Sequence, residues 1–314
     1  MKNIKLKPVK DQVIVITGAS SGIGLETARL AAKAGARVVI GARHEDEIQN
    51  IVKDIRSRGG EAVGIGMDVR KHEDHIKLKD TAIKAYGRID TWVNNAGKSI
   101  FGKLTNTSLE DEKDLFETNF WGIRHGSLVA LPELKKSKGA LINLGSEVSG
   151  VAIPLQGMYS ATKHAVKAFT DALRVELTKE KAPVSVTLVR PAAINTPYAD
   201  HAKNSLEEGG PSLPAPIYDV SIVAKAILKA AEKPQRDAYI GFASRAFTVM
   251  ETIAPKLSDK FLLKMFEQQK EGKQKHSMGE TRSEQDHHVS KSSAYTKVTA
   301  GQKKVKDKGG EKRV

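Results

Sequence analysis

Tyr159 and Lys163 are the two side chains whose types and spacing best suit proton transfer. They are four residues apart in a segment with helical periodicity, so they share one helix face and the ammonium can approach the phenol. The pKa of a free tyrosine is about 10, too high for proton exchange at neutral pH. A positive charge about 4 Å away contributes roughly 4 kcal/mol at an effective dielectric constant near 20, or about three pKa units. The pair therefore predicts a phenol that titrates near neutrality, as a general acid or base requires.

Ser146 is a second candidate for contact with a reacting group. It follows a predicted strand over residues 140–144 and precedes Tyr159 by 13 positions. Ligands of open α/β sheets collect at the carboxyl ends of the strands, so its hydroxyl is predicted to hydrogen-bond a substrate oxygen. Taken singly, Ser146 could be an ordinary turn serine and Lys163 part of a solvated helix face. Their joint spacing favours the catalytic interpretation.

A glycine-rich stretch over residues 17–24 predicts a phosphate-binding turn between a strand and a helix. Gly18 allows the turn, Gly22 lets the backbone approach a pyrophosphate, and Gly24 lets the helix pack on the strand. Free N–H groups at the helix start attract the anion. The spacing is G-x-x-x-G-x-G, which leaves an ordinary glycine-rich turn as the alternative. The predicted contacts are Gly18, Ser20, Ser21, Gly22, Ile23 and Gly24.

The end of the second predicted strand favours NADP over NAD. An acid at this point would bind the 2′-hydroxyl of an adenosine ribose. Ala42 occupies that position, and Arg43 follows it with a planar cation that suits a 2′-phosphate. The alternative is a surface arginine at a strand end. After the third strand, beside Val69, Asp68 could accept a hydrogen bond from the adenine amino group.

Seven short apolar runs alternate with helical stretches along the chain. They cover residues 13–16, 37–40, 62–67, 91–94, 140–144, 184–189 and 238–240. This alternation predicts an α/β fold, a single-domain Rossmann-like doubly wound parallel sheet of about seven strands with helices on both faces.

The fourth predicted strand ends in the motif Asn94-Asn95-Ala96-Gly97, whose small and amide residues allow close backbone approach to a cofactor. Together with the glycine-rich turn, this motif resembles the short-chain dehydrogenase/reductase family. Four further features agree and extend the resemblance over residues 10–242. They are Asn119, Ser146, the segment from Tyr159 to Lys163, and the segment Pro191-Ala192-Ala193-Ile194-Asn195-Thr196.

The resemblance implies an oxidoreductase that transfers a hydride between the nicotinamide of NADP(H) and a carbonyl or alcohol substrate. Tyr159 would give a proton to a carbonyl oxygen, or take one from an alcohol, while Ser146 orients and polarises that oxygen. Lys163 would also bond the nicotinamide ribose, and Asn119 would place Lys163 and a proton-relaying water chain. One alternative is a non-catalytic protein that binds NADP and acts as a regulator or scaffold. The other keeps the fold but catalyses an epimerase or dehydratase reaction.

The same resemblance extends the predicted cofactor contacts. It places the nicotinamide carboxamide within reach of Thr196. The family usually has glycine where Ala192 stands, so the alanine side chain restricts close backbone approach there. Besides the turn residues, the predicted set is Arg43, Asp68, Val69, Asn95, Ala96, Gly97, Tyr159, Lys163, Pro191, Ile194 and Thr196.

Composition predicts the regions outside the catalytic part. Residues 1–10 form a lead, residues 11–242 the catalytic domain, and the turn-rich residues 197–216 a lid over the substrate. The amphipathic residues 243–269 could cap the substrate site, pack on a partner subunit, or contact a membrane surface weakly. Residues 270–314 are basic and predicted to be disordered.

Partners and location follow from composition and from the family. The absence of cysteine excludes disulfides and thiolate chemistry, and we expect no metal site. The net charge of +14 is spread along the chain, so we expect no nucleic-acid partner. No apolar run approaches the roughly 18 residues needed to span a bilayer, and we expect a soluble, cytoplasmic protein. Two long helices, over residues 109–135 and 158–180, resemble the interface pair of the family and imply a homodimer or homotetramer.

The segment before Tyr159 offers an apolar wall to a carbon-rich substrate, with ordinary packing as the equal alternative. Its members are Val151, Ile153, Pro154, Leu155 and Met158.

Overall fold

A computed structural model describes residues 4–197, 202–206, 216–241, 250–251, 253–264 and 266 of the chain. The predicted lid therefore lies partly outside the described residues, at 198–201 and 207–215. The predicted disordered tail at 270–314 lies wholly outside them.

Seven parallel strands form one sheet in the described part of the chain, as the alternation of apolar runs predicts. These strands are β1 (Val13–Thr17), β2 (Arg37–Ala42), β3 (Glu61–Gly66), β4 (Thr91–Asn94), β6 (Ala140–Leu144), β7 (Ser185–Pro191) and β9 (Asp237–Ile240). Two further strands, β5 (Ile100–Phe101) and β8 (Lys203–Asn204), form a separate parallel pair. All seven predicted strands are confirmed, and their ends differ from the predicted ones by at most two residues.

The sheet order is β3-β2-β1-β4-β6-β7-β9. The chain builds outward from β1 to β3 and then crosses back, so that β4 pairs with the other side of β1 through Ile14 and Thr91. Ligands of doubly wound sheets bind in the crevice at the carboxyl ends of the strands where this reversal occurs. The topology therefore places the candidate site above β1 and β4.

Helices cover both faces of the sheet because both faces of its strands are apolar. They are α1 (Gly22–Lys33), α2 (Glu45–Ser57), α3 (His72–Tyr86), α4 (Leu109–Phe116), α5 (Gly122–Ser137), α6 (Gly157–Lys179) and α7 (Val220–Glu232). Ile14 and Ile16 of β1 pack in a core with α1, α2 and α7, whereas Val13 and Val15 face the core formed with α3, α5 and α6. Each fully buried aliphatic side chain contributes about 1.5–3 kcal/mol, so the alternation fixes the register of the strands.

The predicted long helix over residues 109–135 is helical but not uniform. Between α4 and α5 the residues Glu117–Trp121 form a π-helical turn. A π turn inserts an extra residue and rotates the side chains that follow it, and such turns are frequent at functional sites. Periodicity does not reveal it, because the apolar spacing resumes on either side.

The pair β5–β8 anchors part of the segment predicted as a lid. The Lys203 N–H donates to the Ser99 carbonyl at 3.0 Å, and the Ser205 N–H donates to the Phe101 carbonyl at 2.7 Å. Residues 202–206 are therefore held against the chain that leaves β4. Two-residue strands carry no usable period, which is why the sequence does not predict them.

Buried amides link the central strands beneath the candidate site. The Asn94 side chain donates to the Asn143 carbonyl oxygen at 2.8 Å and to the Ser127 hydroxyl at 3.0 Å. The Asn143 side chain donates in turn to the Thr170 hydroxyl at 3.0 Å. Satisfied buried networks of this kind specify one arrangement of the elements they join. This network fixes α5 and α6 relative to β4 and β6.

The C-terminal extension is helical over residues 255–264. Leu262 packs against a buried cluster that includes Ile100, Val148 and Tyr159. By contrast, Ile253, Leu257, Phe261 and Leu263 expose large parts of their side chains. Through Leu262, the described part of the extension contributes an apolar contact to the cluster that contains Tyr159.

Candidate active site

A cavity of about 850 Å³ opens at the carboxyl ends of β1, β2, β4, β6 and β7, within the range that binds small molecules and cofactors. Almost every residue predicted from the sequence lines it. The lining includes Gly18, Ser20, Ser21, Gly22, Ile23, Arg43, Asp68, Val69, Asn95, Ala96, Gly97, Ser146, Tyr159, Lys163, Pro191, Ile194 and Thr196. Of the residues predicted to be catalytic or to bind the cofactor, Gly24 and Asn119 are the two outside the lining.

Glycine is required at two positions of the turn by backbone conformation. Gly18 has φ +67° and Gly22 has φ +53°, in the left-handed region that side chains disfavour. A Cβ at Gly18 would also lie 2.6 Å from the Ala96 Cα. The turn is thus pressed against the end of β4, where the strand reversal creates the crevice.

Gly24 has a different role from the predicted one. A Cβ there would collide with the Gly18 carbonyl oxygen and with the Asn95 side-chain nitrogen, not with strand atoms. The Asn95 amide occupies that space, donating to the Thr17 carbonyl at 3.0 Å and to the Gly18 carbonyl at 2.9 Å. Asn95 therefore clamps the glycine-rich turn, and its side-chain N–H groups are used in hydrogen bonds to protein carbonyls.

The start of α1 has the properties of an anion site. Ser21 is its N-cap residue, and the Ser21 side chain makes no capping hydrogen bond. The N–H groups of the first turn of a helix have no partner within the helix, and the helix dipole adds positive potential at that end. The turn thus offers a backbone cradle lined by Ser20, Ser21, Gly22 and Ile23 that matches the pyrophosphate of a dinucleotide.

Cationic groups gather at the β2 end of the cavity. Arg43 is exposed there, directly after the last residue of β2. Burial lowers the pKa of Lys98, and the charges of Arg70 and Arg43 lower it further, so each of these two arginines lies close enough to Lys98 to repel it. Lys98 also forms an ion pair with Asp114. The sequence reasoning missed Lys98 and Arg70, although Lys98 directly follows the Asn-Ala-Gly motif.

Asp68 faces Arg70 at the same end of the cavity. The Arg70 Nε donates to the Asp68 Oδ2 at 2.9 Å, and the Arg70 backbone N–H donates to the Asp68 Oδ1 at 3.0 Å. Burial acts to raise the pKa of Asp68, but the hydrogen bonds from Arg70 outweigh it and hold this pKa below its usual value. The carboxylate is thus ionised and already bonded on the protein side.

Tyr159 and Lys163 share the cavity-facing side of α6, as their spacing predicts. Tyr159 is 8% exposed, Lys163 is 3% exposed, and the Lys163 Nζ lies 5.7 Å from the centre of the Tyr159 ring. The ammonium donates to the Leu144 carbonyl at the end of β6, at 2.9 Å. Burial lowers the pKa of Lys163 to about 8, so the side chain carries its charge at neutral pH at an energetic cost.

Asn119 lies in the π turn and is fully buried. Its Oδ1 accepts the Lys98 N–H at 2.9 Å, and its Nδ2 donates to the Lys98 carbonyl at 2.9 Å and to the Thr162 hydroxyl at 3.1 Å. The amide therefore joins the chain after β4 to the helix that carries Tyr159 and Lys163. A Cβ at Gly97 would lie 3.3 Å from the Asn119 Oδ1 and 3.7 Å from the Lys163 Nζ, which shows how closely these groups meet.

Ser146 begins a short 3-10 turn, Glu147–Ser149, between β6 and α6. Its hydroxyl accepts the Val148 N–H at 3.3 Å, and the Ser149 hydroxyl accepts the Ser146 N–H at 3.1 Å. Burial raises the pKa of Glu147, the next residue, to about 7. Sequence reasoning did not identify Glu147, and its position beside Ser146 was the available signal.

The segment after β7 closes the cavity on the side of the glycine turn. A Cβ at Gly22 would lie 3.3 Å from the Thr196 Cβ, and Ile194 forms a bridge with Tyr218. Ala192, the departure from the family pattern, donates its N–H to the Ile240 carbonyl at 2.9 Å. A Cβ at Gly241 would lie 2.8 Å from the Ala192 Cβ, so glycine at 241 provides the room that alanine at 192 needs.

The predicted apolar wall is only partly at the cavity. Ile153 lines it and packs with Ile100, Leu115, Val148 and Tyr159. Met158 packs against the same cluster, whereas Val151 and Leu155 are buried without lining the cavity. Both interpretations of the segment therefore apply, each to different residues.

Among the described residues there is neither a candidate membrane-spanning helix nor a candidate metal site. No helix there combines the length and the apolar character that a bilayer crossing demands. No group of three or more histidine or acidic side chains there could hold a metal ion.

Comparisons with known proteins agree with this geometry. A family model described as short chain dehydrogenase matches residues 12–207. The uncharacterized oxidoreductase YxnA of Bacillus subtilis (strain 168) is 44% identical over 264 residues, which are 83% of this chain and 74% of that protein.

Two solved structures are also similar. An alcohol dehydrogenase from the archaeon Thermococcus sibiricus, complexed with 5-hydroxy-NADP, has a TM-score of 0.64 and 28% identity, covering 73% of this chain and 94% of its own. A short-chain dehydrogenase/reductase from Burkholderia phymatum, in complex with NAD, has a TM-score of 0.72 and 26% identity, covering 78% of this chain and 94% of its own. The chain therefore belongs to the short-chain dehydrogenase/reductase family.

Proposed function

We propose that this protein is an NADP(H)-dependent oxidoreductase that interconverts a carbonyl compound and an alcohol. The observation that carries the proposal is the pairing of Tyr159 with the buried ammonium of Lys163 on one wall of a cavity that also holds Ser146 and the glycine-rich turn. A proton carrier, an oxygen-binding hydroxyl and an anion cradle are the three parts that carbonyl reduction with a nicotinamide needs.

The cavity fits a dinucleotide along its length. The start of α1 suits the pyrophosphate, and the backbone at Ala96 and Gly97 lies open to the cavity where a ribose would pass. Pro191, Ile194 and Thr196 line the far end and would contact the nicotinamide. When bound, the nicotinamide supplies or accepts the hydride.

Tyr159 is the proposed proton carrier. In reduction its hydroxyl gives a proton to the carbonyl oxygen, and in oxidation the phenolate takes one from the alcohol. The fixed positive charge of Lys163 favours the phenolate electrostatically, because both groups lie in a site that excludes most water. Lys163 is held by the Leu144 carbonyl, so its position does not depend on a bound ligand.

Ser146 is the proposed partner of the reacting oxygen. Its hydroxyl makes one weak contact, accepting the Val148 N–H at 3.3 Å, and so its proton is available to a substrate oxygen. Asn119 is proposed as a positioning residue, since its amide ties the chain at Lys98 to Thr162, one residue before Lys163. These bonds hold α6 at a fixed distance from the end of β4.

The cations at the end of β2 support NADP over NAD. No acid follows β2 directly, and Arg43 stands at that point with Lys98 close by. The 2′-phosphate of NADP would relieve the mutual repulsion of these cations, whereas the 2′-hydroxyl of NAD would not. The charge arrangement thus supports the proposal that the cofactor carries the 2′-phosphate.

Replacing Lys163 by Met is predicted to stabilise the protein without cofactor while removing its activity. The folded-state pKa near 8 lies below the ordinary value of 10.5, so folding carries a penalty that is complete below pH 8 and disappears as the pH rises toward 10.5. The gain should be about 1–3 kcal/mol at pH 7 and smaller at pH 9.5, measured by urea unfolding. Lys167→Met, one turn along α6, is the control and should change stability by less than about 0.5 kcal/mol. A destabilised Lys163→Met variant at pH 7 would contradict the burial argument.

Tyr159→Phe is predicted to lower turnover by at least about a thousandfold, since it removes the proton and leaves the ring in place. Binding of NADPH, followed by its fluorescence, should stay within about threefold of the parent. Tyr86→Phe, at the end of α3, is the control and should keep full activity. If Tyr159→Phe still reduces carbonyl compounds at the parental rate, the mechanism is wrong.

Arg43→Leu is predicted to weaken NADPH binding by roughly tenfold to a hundredfold and to leave NADH binding nearly unchanged. The measurement is the dissociation constant of each cofactor by calorimetry, at fixed salt because the effect is electrostatic. Arg58→Leu, an exposed arginine after α2, is the control. Equal losses for both cofactors would remove the argument for NADP.

We also propose that the protein is a homodimer or homotetramer assembled through α5 and α6. Leu128 on α5 and Val175 on α6 expose apolar side chains, as does Trp121 in the π turn. Light scattering should give the mass of two or four chains, and Leu128→Asp should lower it. A monomeric parent at micromolar concentration would contradict this assembly.

A further inference from the structure

Glu147 is a buried carboxyl that the proposed mechanism does not use. It is 7% exposed and follows Ser146 at the start of the 3-10 turn. Among the described residues its side chain makes no hydrogen bond and no ion pair. Burial is the sole cause of its raised pKa, about 7, which agrees with a carboxyl that has no protein partner.

The turn that carries Glu147 does not need this carboxyl. Ser146 and Ser149 cap the turn reciprocally, and the Gly150 N–H donates to the Glu147 backbone carbonyl at 3.3 Å. A buried polar group without a partner destabilises the folded protein, and more so when it is charged. A glutamate held in this way is therefore costly to the fold.

The carboxyl has access to the cavity that holds the catalytic candidates. Glu147 lines that cavity together with Val148, Ile153 and Tyr159. Its carboxyl oxygens are not among the side-chain atoms that are both fully buried and without a hydrogen bond. The carboxyl of Glu147 is therefore not sealed off from the cavity. Beside Tyr159 the lining thus combines the apolar side chains of Val148 and Ile153 with the polar side chains of Ser146 and Gln156 and the carboxyl of Glu147.

We propose that Glu147 recognises a hydrogen-bond donor on the substrate, a hydroxyl or an ammonium group within a few bonds of the reacting carbon. This inference rests on the proposed function, because it concerns the substrate of the same site. The substrate class is then a hydroxy- or amino-substituted carbonyl compound of otherwise apolar character, or the corresponding alcohol. A donor on the substrate gives the carboxyl the partner that the protein withholds, whereas a substrate carboxylate would be repelled by the ionised form.

The test uses three ketones that share one apolar ring: β-hydroxypropiophenone, β-methoxypropiophenone and β-aminopropiophenone. The methoxy compound has a methyl group in place of the hydroxyl hydrogen, so it keeps the ether-type oxygen as an acceptor but has no donor. The parent protein should reduce the hydroxy and amino compounds with a kcat/KM at least roughly tenfold higher than that of the methoxy compound, because a buried polar site rejects an analogue that leaves it unpaired. Equal values for the hydroxy and methoxy compounds, with clear turnover of both, would overturn the proposal and leave the proposed function intact.

Two substitutions separate the donor effect from the charge effect. Glu147→Leu should bring the ratio of kcat/KM for the hydroxy compound to kcat/KM for the methoxy compound close to one. It should also raise kcat/KM for the methoxy compound. Glu147→Gln keeps the size and a hydrogen-bond acceptor, so it should retain most of the preference for hydroxyl and lose at least tenfold on the amino compound. Glu176→Gln, an exposed acid on α6, should change none of these ratios. Ratios in Glu147→Leu that match those of the parent would also overturn the proposal.

Binding provides a readout that does not depend on turnover. If the parent reduces none of the three ketones, the proposed function fails for this class, and calorimetry then measures their binding to the parent and to Glu147→Gln. Tighter binding of the donor-bearing ketones, lost for the amino compound in the variant, supports recognition by Glu147. Equal binding of the hydroxy and methoxy compounds overturns it. Circular dichroism of each variant establishes that the comparison is made on folded protein.

Discussion

The burial of one positive charge is the constraint on which the site depends. The Lys163 ammonium sits in the interior, with the Leu144 carbonyl at 2.9 Å as a fixed acceptor. That carbonyl stands at the end of a strand paired on both sides, so it cannot move away from the charge. Because burial lowers the pKa of Lys163 toward neutrality, the charge is costly, and this cost makes it effective on a neighbouring phenol. The protein thus loses stability at the position where the proposed chemistry requires a positive charge.

The elements around Lys163 are rigid for reasons that lie outside the cavity. The amides of Asn94 and Asn143 bond across β4 and β6, and Asn143 continues to Thr170 on α6. Asn119 reaches the same helix at Thr162 from the π turn. Helix α6 is therefore tied to the sheet and to the chain after β4 by buried polar bonds that hold only in one arrangement. Packing supplies most of the stability of this region, and the amides determine where Tyr159 and Lys163 stand.

The sequence predicts the sheet well because its signal is local. The runs that form β1, β6 and β7 are buried on both faces, and glycines stand at several positions where φ is positive. The features it fails to predict depend on contacts between distant segments. The π turn at Asn119, the β5–β8 pair and the Asn95 clamp on the glycine turn are all set by residues far apart in the chain. Motif position predicts which residues meet, but it does not predict which atoms they bond.

Because motif position does not predict which atoms bond, the sequence points to Ser146 but not to Glu147. A serine after a strand matches a known pattern, but the meaning of the glutamate beside it depends on whether any protein group meets its carboxyl. In the structure the turn is closed by Ser146 and Ser149, and Lys163 is engaged with Leu144, so no described group meets that carboxyl. The turn after β6 thus carries two neighbouring residues with different proposed roles. One side chain is the proposed partner of the oxygen that every substrate of the reaction carries, and the other is the proposed partner of a group that only some substrates carry.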